Sequence, residues 1–129
     1  MGEDVALILC FLGSAVVSYL LGSINFAIIV TRIFAHRDIR DYGSGNAGMT
    51  NVLRTLGKGP AALTLIGDAL KGIVAVFISK ALFVYFCYAD ETIMIGYVAG
   101  LFVLLGHIFP LYYHFKGGKG IATSAGVML

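Results

Sequence analysis

The feature that most constrains the fold is a long apolar run near the N-terminus, residues 5–30, which contains no charged side chain. As one helix it would be about 39 Å long at about 1.5 Å per residue. It would therefore tilt within, or emerge from, the roughly 30 Å hydrocarbon core of a bilayer. The run is too long for a signal peptide and follows Met-Gly-Glu-Asp rather than a basic region. The sequence thus favours a retained membrane span over a cleaved leader.

Composition places the whole chain in the membrane class. Hydrophobic residues make up 59% and charged residues 12% of the 129 residues, and the mean hydropathy is +0.92, whereas a soluble domain carries about 25% charged residues. We expect an all-α integral membrane protein, a polytopic helical bundle that forms a single membrane domain over residues 1–129. The predicted spans lie near residues 5–30, 60–88 and 92–113, with the start of another at 121–129. That last run is too short to cross a bilayer at about 20 residues per span, so the chain is expected to be the N-terminal part of a longer protein.

The charge distribution predicts how the spans are oriented. The two polar loops between the spans are basic, whereas acidic residues lie at the opposite ends of the spans: Glu3, Asp4, Asp90 and Glu91. By the positive-inside rule, the basic loops face the cytoplasm and the N-terminus lies outside. Three crossings then place both loops on one face. The sequence contains no basic patch of the kind that binds nucleic acid.

The first polar loop carries a glycine pattern that imitates a dinucleotide site. Gly43, Gly45 and Gly48 spell G-x-G-x-x-G, with Asp68 at the distance where such sites place an acidic residue. No strand precedes the pattern and no βαβ unit follows it, because the neighbouring segment is apolar and span-like. A P-loop would need Lys and then Ser or Thr after its last glycine, whereas Met49 follows here. Nucleotide binding is therefore disfavoured.

The same stretch, residues 43–54, is dense in polar side chains and is called the first glycine loop below. Its polar residues are Ser44, Asn46, Thr50, Asn51 and Arg54. A Gly/Asn turn with a helix cap is the structural alternative, but one cap does not account for all of these side chains and the glycines together. A helix that begins near Ala47 would place Thr50, Asn51 and Arg54 on one side, where Arg54 could hold a phosphate in a forked geometry. We interpret this loop as a phosphate-binding element.

A second glycine loop, residues 115–123, combines glycines with lysines. A helix beginning near Ile121 would present its positive end to an anion. The alternative is a basic loop that merely obeys the positive-inside rule, but that alternative requires the lysines and not the glycines. The pattern predicts a second phosphate-binding element. Its central residues are Lys116, Gly117, Gly118, Lys119 and Gly120.

Ionisable residues within the apolar runs are costly and often functional. Asp68 and Lys71 lie one helical turn apart and are predicted to form a structural pair that orients the first glycine loop. His107 lies near a span end, where a structural role is favoured over a catalytic one. Lys80 is predicted to extend its ammonium group towards the interface.

Together these motifs resemble those of the bacterial PlsY family. The resemblance rests on Gly43-Ser44-Gly45-Asn46-x-Gly48-x-Thr50-Asn51-x-x-Arg54, on Gly106-His107-x-Phe109-Pro110, and on Phe115-Lys116-Gly117-Gly118-Lys119-Gly120-x-Ala122-Thr123. Flanking segments that are also similar are Gly22-Ser23-Ile24-Asn25 and Asp68-x-x-Lys71-Gly72. The resemblance covers essentially the whole chain.

The resemblance implies an enzyme of the bacterial cell membrane, with roughly seven spans of about 20 residues each. Such an enzyme moves a fatty acyl group from acyl phosphate to the 1-hydroxyl of sn-glycerol 3-phosphate, releasing lysophosphatidate and phosphate in phospholipid biosynthesis. Neither a cofactor nor a metal is implied. A third family motif, which carries His, Asn and Glu, is not in this sequence, so the resemblance leaves the activity of these 129 residues alone open.

The resemblance also assigns site residues. It implies catalytic roles for Ser44, Arg54 and Lys119. The residues implied in binding substrate and phosphate are Gly43, Gly45, Asn46, Thr50, Asn51, His107, Lys116, Gly117, Gly118, Gly120 and Thr123. Two roles remain open for Ser44: a nucleophile that forms an acyl-enzyme, or a residue that positions substrate while the glycerol hydroxyl attacks directly. The second is preferred because no His or Asp lies immediately beside Ser44 in the sequence to act as its base.

Two functions without acyl chemistry remain as alternatives. Half of a phosphate or phospho-ester transporter would share the spans and the anion sites, but it would place those sites near the bilayer midplane. A scaffold subunit that binds anionic lipid would tolerate Ser44→Ala and Arg54→Lys, which an acyltransferase should not.

Overall fold

The computed structural model describes residues 2–87, 92–119 and 121–128. These segments contain α-helices, short 3-10 turns at Ile39–Asp41 and Leu111–Tyr113, and no β-strand. The predicted all-α class is therefore confirmed for the described residues. The helices are α1 (Gly2–Gly22), α2 (Phe26–Ala35), α3 (Met49–Leu56), α4 (Lys58–Cys87), α5 (Thr92–Ile108) and α6 (Ile121–Met128).

Three apolar helical segments in the described part of the chain are long enough to cross a membrane: Asp4–Ala35, Lys58–Tyr85 and Met94–Tyr113. They correspond to the runs that the sequence predicted near 5–30, 60–88 and 92–113. The helix expected from 121 begins at Ile121. The acidic turn predicted at 89–91, with Asp90 and Glu91, lies outside the described residues.

The first apolar run is not the single helix that its lack of charge suggested. It divides at Ser23–Asn25, where α1 ends and α2 begins. Asn25 is extended and caps α2, since its Oδ1 accepts a hydrogen bond from the N–H of Ile28 at 3.1 Å. A buried amide side chain that caps a helix fixes the break within a run that remains apolar.

Glycines allow the spans to approach one another closely. A Cβ at Gly22 of α1 would overlap the carbonyl of Val103 in α5, and one at Gly106 of α5 would overlap the carbonyl of Tyr19. Small residues allow membrane helices to approach this closely. Such packing matters because the hydrophobic effect does not hold helices together in lipid. The α1–α5 pair is thereby fixed at the end where the second glycine loop leaves α5.

The first glycine loop, whose second half forms most of α3, packs on α2 and α4. A small core joins α2, α3 and the start of α4. Its buried residues are Ala27, Ile28, Ile39, Ala47, Val52 and Ala61. The apolar side chains of the loop in this core pack against α2 and α4, and they hold the loop on these helices.

Candidate active site

Asn51 fixes the path of the first glycine loop. Its Oδ1 accepts the N–H of Ser44 at 3.1 Å, and its Nδ2 faces the carbonyls of Ile39, Tyr42 and Asn46 at 3.3, 2.8 and 3.0 Å. Only 1% of Asn51 is exposed. The side chain predicted to bind substrate is thus occupied by the loop's own backbone, and the structure gives it a bracing role.

Two glycines let the loop turn tightly around that amide. Gly43 and Gly45 have φ values of +55° and +77°, which residues with a Cβ rarely adopt. A Cβ at Gly43 would also overlap Oδ1 of Asn51. The glycine pattern therefore serves a folded polar turn.

The turn leaves Ser44 at the surface. Its side chain is exposed, and its Oγ accepts the N–H of Asn46 at 3.3 Å. In the part of the chain that the structure describes, no imidazole or carboxylate is hydrogen-bonded to that hydroxyl.

Helix α3 separates residues that the sequence placed on one side. It begins at Met49, later than the predicted start near Ala47, and Gly48 provides no side-chain cap. Thr50 and Arg54 are exposed one turn apart, whereas Asn51 points inward to the loop. Thr50 and Arg54 are the two predicted residues of this helix that remain accessible to a ligand.

The second glycine loop folds back on the C-terminal end of α5. The N–H of Gly117 donates to the carbonyl of Ile108 at 3.0 Å, and the N–H of Gly118 donates to that of His107 at 3.2 Å. The sequence predicted that these glycines belong to a phosphate-binding element. The structure instead uses them to satisfy carbonyls at a helix end, which otherwise lack partners.

The two glycine loops meet at Gly118. A Cβ there would overlap the carbonyl of Ala47 in the first loop and would also press on Nε2 of His107. Lys116 and Lys119, on either side of Gly117 and Gly118, are exposed. The structure therefore brings together two loops that are about 70 residues apart in the sequence. The contact is non-local, and forming it requires the closure of a long loop of chain. Gly120 lies outside the described residues.

Thr123, the last residue of the second glycine loop, lies in the first turn of α6. It is fully buried, and its Oγ1 has no hydrogen-bond partner among the described residues. Its carbonyl packs closely against Gly72 of α4. The predicted binding residue is thus oriented inward.

Arg40 ties the second glycine loop to the segment before the first. Its Nη1 donates to the carbonyls of Tyr113 and Lys116 at 2.6 and 3.2 Å, while its Nε and Nη2 bind the Asp38 carboxylate. The hydrogen bond from Arg40 holds the pKa of Asp38 below its usual value of 3.8 despite partial burial. In the sequence these residues contribute only to the charge of the polar loop, and their pairing was not predicted.

The predicted pair of Asp68 and Lys71 is present and buried, with Lys71 Nζ 3.2 Å from Asp68 Oδ1. Lys71 Nζ is also 2.7 Å from Nδ1 of His107. All three side chains are at most 5% exposed. The favoured structural role of His107 agrees with this placement, in a cluster beneath the loops.

The sequence pointed to Asn25 only as part of the flanking segment Gly22-Ser23-Ile24-Asn25, without a structural role. Besides capping α2, its Nδ2 donates to the carbonyl of Ala47 at 3.3 Å. The break between α1 and α2 thus supports the first glycine loop from below. In the sequence, Asn25 is a polar amide near the end of an uncharged run and the last residue of the flanking segment that resembles the PlsY family.

The described residues contain no group of three or more His, Cys, Asp and Glu side chains placed to hold a metal ion. The exposed site groups are instead hydroxyls and cations: Ser44, Thr50, Arg54, Lys116 and Lys119. Such groups hydrogen-bond and attract anions.

An apolar helical bundle capped at one end by two interlocked, cationic glycine loops defines an integral membrane protein with a candidate anion site. The chain belongs to the glycerol-3-phosphate acyltransferase family, whose model matches residues 12–129. The resemblance to the PlsY family is thereby confirmed.

Curated relatives and solved structures agree with that assignment. The glycerol-3-phosphate acyltransferase of Cupriavidus metallidurans is 51% identical over 116 residues, which cover 88% of this chain and 55% of that relative. The glycerol-3-phosphate acyltransferase of Clostridioides difficile is 52% identical over 115 residues, which cover 89% of this chain and 55% of that relative. The crystal structure of PlsY (YgiH), an integral membrane glycerol 3-phosphate acyltransferase, in its glycerol 3-phosphate form, has a TM-score of 0.75 at 38% identity, covering 91% of this chain and 55% of that one. The lysophosphatidic acid form has a TM-score of 0.72 at 36% identity, covering 92% and 55%. The chain spans about half the length of the relatives it matches.

Proposed function

We propose that the protein containing this chain is an acyltransferase that moves a fatty acyl group from acyl phosphate to the 1-hydroxyl of sn-glycerol 3-phosphate. The products are lysophosphatidate and inorganic phosphate, for phospholipid biosynthesis. The observation that carries the proposal is the contact between the two cationic glycine loops at Gly118 and Ala47, at one end of apolar spans. Family membership and the two ligand forms of the solved relative support the choice of acceptor and product.

The location of the loops suits a reaction between a lipid and a water-soluble molecule. An acyl chain reaches the site from the bilayer, and glycerol 3-phosphate reaches it from the aqueous side. Both reactants are anions, so exposed cations attract them. Arg54, Lys116 and Lys119 are exposed cations on the two loops.

The chemistry requires little more than placement and charge stabilisation. The acceptor hydroxyl oxygen attacks the carbonyl carbon of acyl phosphate. The bond between that carbon and the oxygen that bridges to phosphorus then breaks, and phosphate departs with the hydroxyl proton. Acyl phosphate is already activated, so positioning supplies much of the rate. Arg54 and Lys119 stabilise the phosphate charge that develops, and Lys116 and Thr50 contribute to substrate binding.

Ser44 acts in this proposal as a hydrogen-bonding residue that orients substrate. Its exposed hydroxyl accepts from Asn46, and no base is bonded to it among the described residues. Gly43, Gly45 and Asn51 shape the turn that presents Ser44, while Gly117, Gly118 and His107 shape its partner loop. A serine nucleophile would need an activating base.

The same proposal places the protein in the bacterial cell membrane, with the N-terminus outside and both glycine loops in the cytoplasm. The basic character of the loops supports this orientation through the positive-inside rule.

The test is acyl transfer by the protein at the full length of its relatives, reconstituted in lipid. Glycerol 3-phosphate is supplied with either acyl phosphate or acyl-CoA. We expect lysophosphatidate from acyl phosphate alone and its loss in Arg54→Ala. Product from acyl-CoA would overturn the donor assignment. No product from either donor, in a folded protein, would overturn the enzyme proposal, and phosphate flux across the vesicles would then favour a transporter.

A further inference from the structure

Lys71 is the centre of the buried polar cluster beneath the two glycine loops. Its Nζ is 3.0 and 2.7 Å from the carbonyls of Gly22 and Ile24, 2.7 Å from Nδ1 of His107 and 3.2 Å from Oδ1 of Asp68. An ammonium group has three N–H donors, so the four neighbouring acceptors leave no donor of Lys71 unpaired. A plain structural ion pair with Asp68 would not need the other contacts.

The contact with His107 has a chemical consequence. An ammonium group can only donate, so Nδ1 of His107 is the acceptor, and the ring carries its proton on Nε2. Nε2 is the atom that lies against Gly118, and the carbonyl of His107 accepts the N–H of Gly118. Lys71 thereby fixes both the tautomer and the position of the residue on which the second glycine loop rests.

The contacts with the helix break lead to the other loop. The carbonyls of Gly22 and Ile24 flank the break between α1 and α2, and both are held by Lys71. The next residue, Asn25, donates from Nδ2 to the carbonyl of Ala47 in the first loop. That carbonyl is also the one that meets Gly118. The two chains of contacts that start at Lys71 therefore end at the junction of the loops.

We infer that Lys71 is a positioning residue for acyl transfer, acting through His107 and Asn25 to hold the two glycine loops at one spacing. The inference rests on the proposed function. Because the loops carry the cations that hold substrate phosphate, losing Lys71 misplaces those cations in the ground state as well as in the transition state. It therefore raises KM for glycerol 3-phosphate, whereas a loss of folded protein lowers only the apparent kcat.

The kinetic test compares variants of the full-length protein in lipid. Lys71→Met is expected to raise KM for glycerol 3-phosphate by about tenfold or more, the scale of one lost charge-assisted hydrogen bond. Two controls lie on the same helix. Ser79→Ala removes a buried hydrogen bond to Ser18, and Lys80→Met removes an exposed lysine charge. Both are expected to leave KM unchanged.

A second variant covers the case in which Lys71→Met does not fold because Asp68 is left buried without its cationic partner. The double variant Asp68→Asn/Lys71→Gln removes both charges and leaves an amide at each position, so that position 71 keeps a donor group. It is expected to fold and still to raise KM, because an amide cannot make all the contacts of the ammonium group. Wild-type KM in a folded double variant would overturn the inference.

A spectroscopic test does not depend on activity. In protein labelled with 15N-histidine, His107 is assigned by the loss of its signals in His107→Gln, which separates it from His36 and His114. Wild-type Nδ1 is expected to be unprotonated and Nε2 protonated, and Lys71→Met or the double variant is expected to change that tautomer population. An unchanged spectrum would overturn the inference. If the wild type transfers no acyl group but the spectrum changes as expected, the proposed function fails while Lys71 is still shown to set His107.

Discussion

Gly118 of the second glycine loop lies directly against the carbonyl oxygen of Ala47 in the first, so closely that a methyl group at position 118 would overlap that oxygen. The contact also brings Gly118 against the ring of His107. The contact sets the distance between the two loops. A single added methyl group at position 118 should therefore separate them.

Gly118→Ala is therefore expected to push the loops apart. Overpacking of a tightly filled site costs roughly 1–3 kcal/mol, and the displaced loop should lose most acyl-transfer activity. Activity and the thermal unfolding midpoint would be measured together. Gly59→Ala is the matched control, since a Cβ at Gly59 meets nothing within 4 Å. Equal behaviour of the two variants would contradict the packed junction.

Asn51→Asp is expected to damage the first loop as severely as Asn51→Ala. Aspartate keeps an acceptor for the N–H of Ser44, but it cannot donate to the carbonyls that Nδ2 faces, and a buried unpaired group costs about 1–3 kcal/mol. Hydrogen exchange at the Ser44 amide would report the opening of the loop, alongside activity. Thr55→Ala, whose hydroxyl bonds only within α3, serves as the control. Full activity in Asn51→Asp would contradict the bracing role.

The Asp38–Arg40 pair predicts a dependence of stability on pH. The hydrogen bond from Arg40 lowers the pKa of Asp38 in the folded protein. The stabilisation is therefore fully present above the unfolded value near 3.8, and it is lost as pH falls through the lower folded pKa. The unfolding midpoint of wild type should exceed that of Asp38→Asn at neutral pH, and the difference should close in acid. A difference that grew in acid would show the opposite sign of coupling.

Ser44 is expected to remain unacylated during turnover. Mixing the full-length protein with acyl phosphate, without glycerol 3-phosphate, should yield no acyl-serine ester by mass spectrometry of the peptide that contains position 44. Ser44→Ala should nevertheless lower activity, because the hydroxyl orients substrate. A trapped ester at Ser44 in wild type would show that it is the nucleophile.

Arg54→Lys is expected to lose most activity even though charge is kept. A lysine cannot reproduce the forked contact of a guanidinium with phosphate. Lys58→Arg, a change at another exposed basic residue close by in the chain, should leave the rate near wild type. Similar rates for Arg54→Lys and wild type would favour a scaffold that needs only positive charge there.

Much of the fold could be predicted because its cause is local in the sequence. Uncharged runs of about 20 residues or more favour helices in a membrane, since a helix gives each backbone polar group a partner within its own segment. The pairing of Asp68 with Lys71 follows from helical spacing alone. The motifs carrying Ser44, Arg54 and Lys119 were sufficient to indicate the family.

Other features depend on partners that are distant in the chain. The break at Ser23–Asn25 could not be read from an uncharged run, because it involves Lys71 of another helix and the carbonyl of Ala47. Asn51 could not be distinguished from Thr50 by composition, since only the folded loop turns one amide inward.

The sequence by itself determined that the chain forms membrane helices with two cationic glycine loops, because hydropathy and residue type act over a few neighbouring residues. The tertiary structure alone decided what the glycines do. Gly117 and Gly118 give their N–H groups to the end of α5, and Gly118 accommodates the carbonyl of Ala47. The reason is physical: a backbone hydrogen bond or a close contact is satisfied by whichever group the fold brings near, and that group lies far away in the sequence.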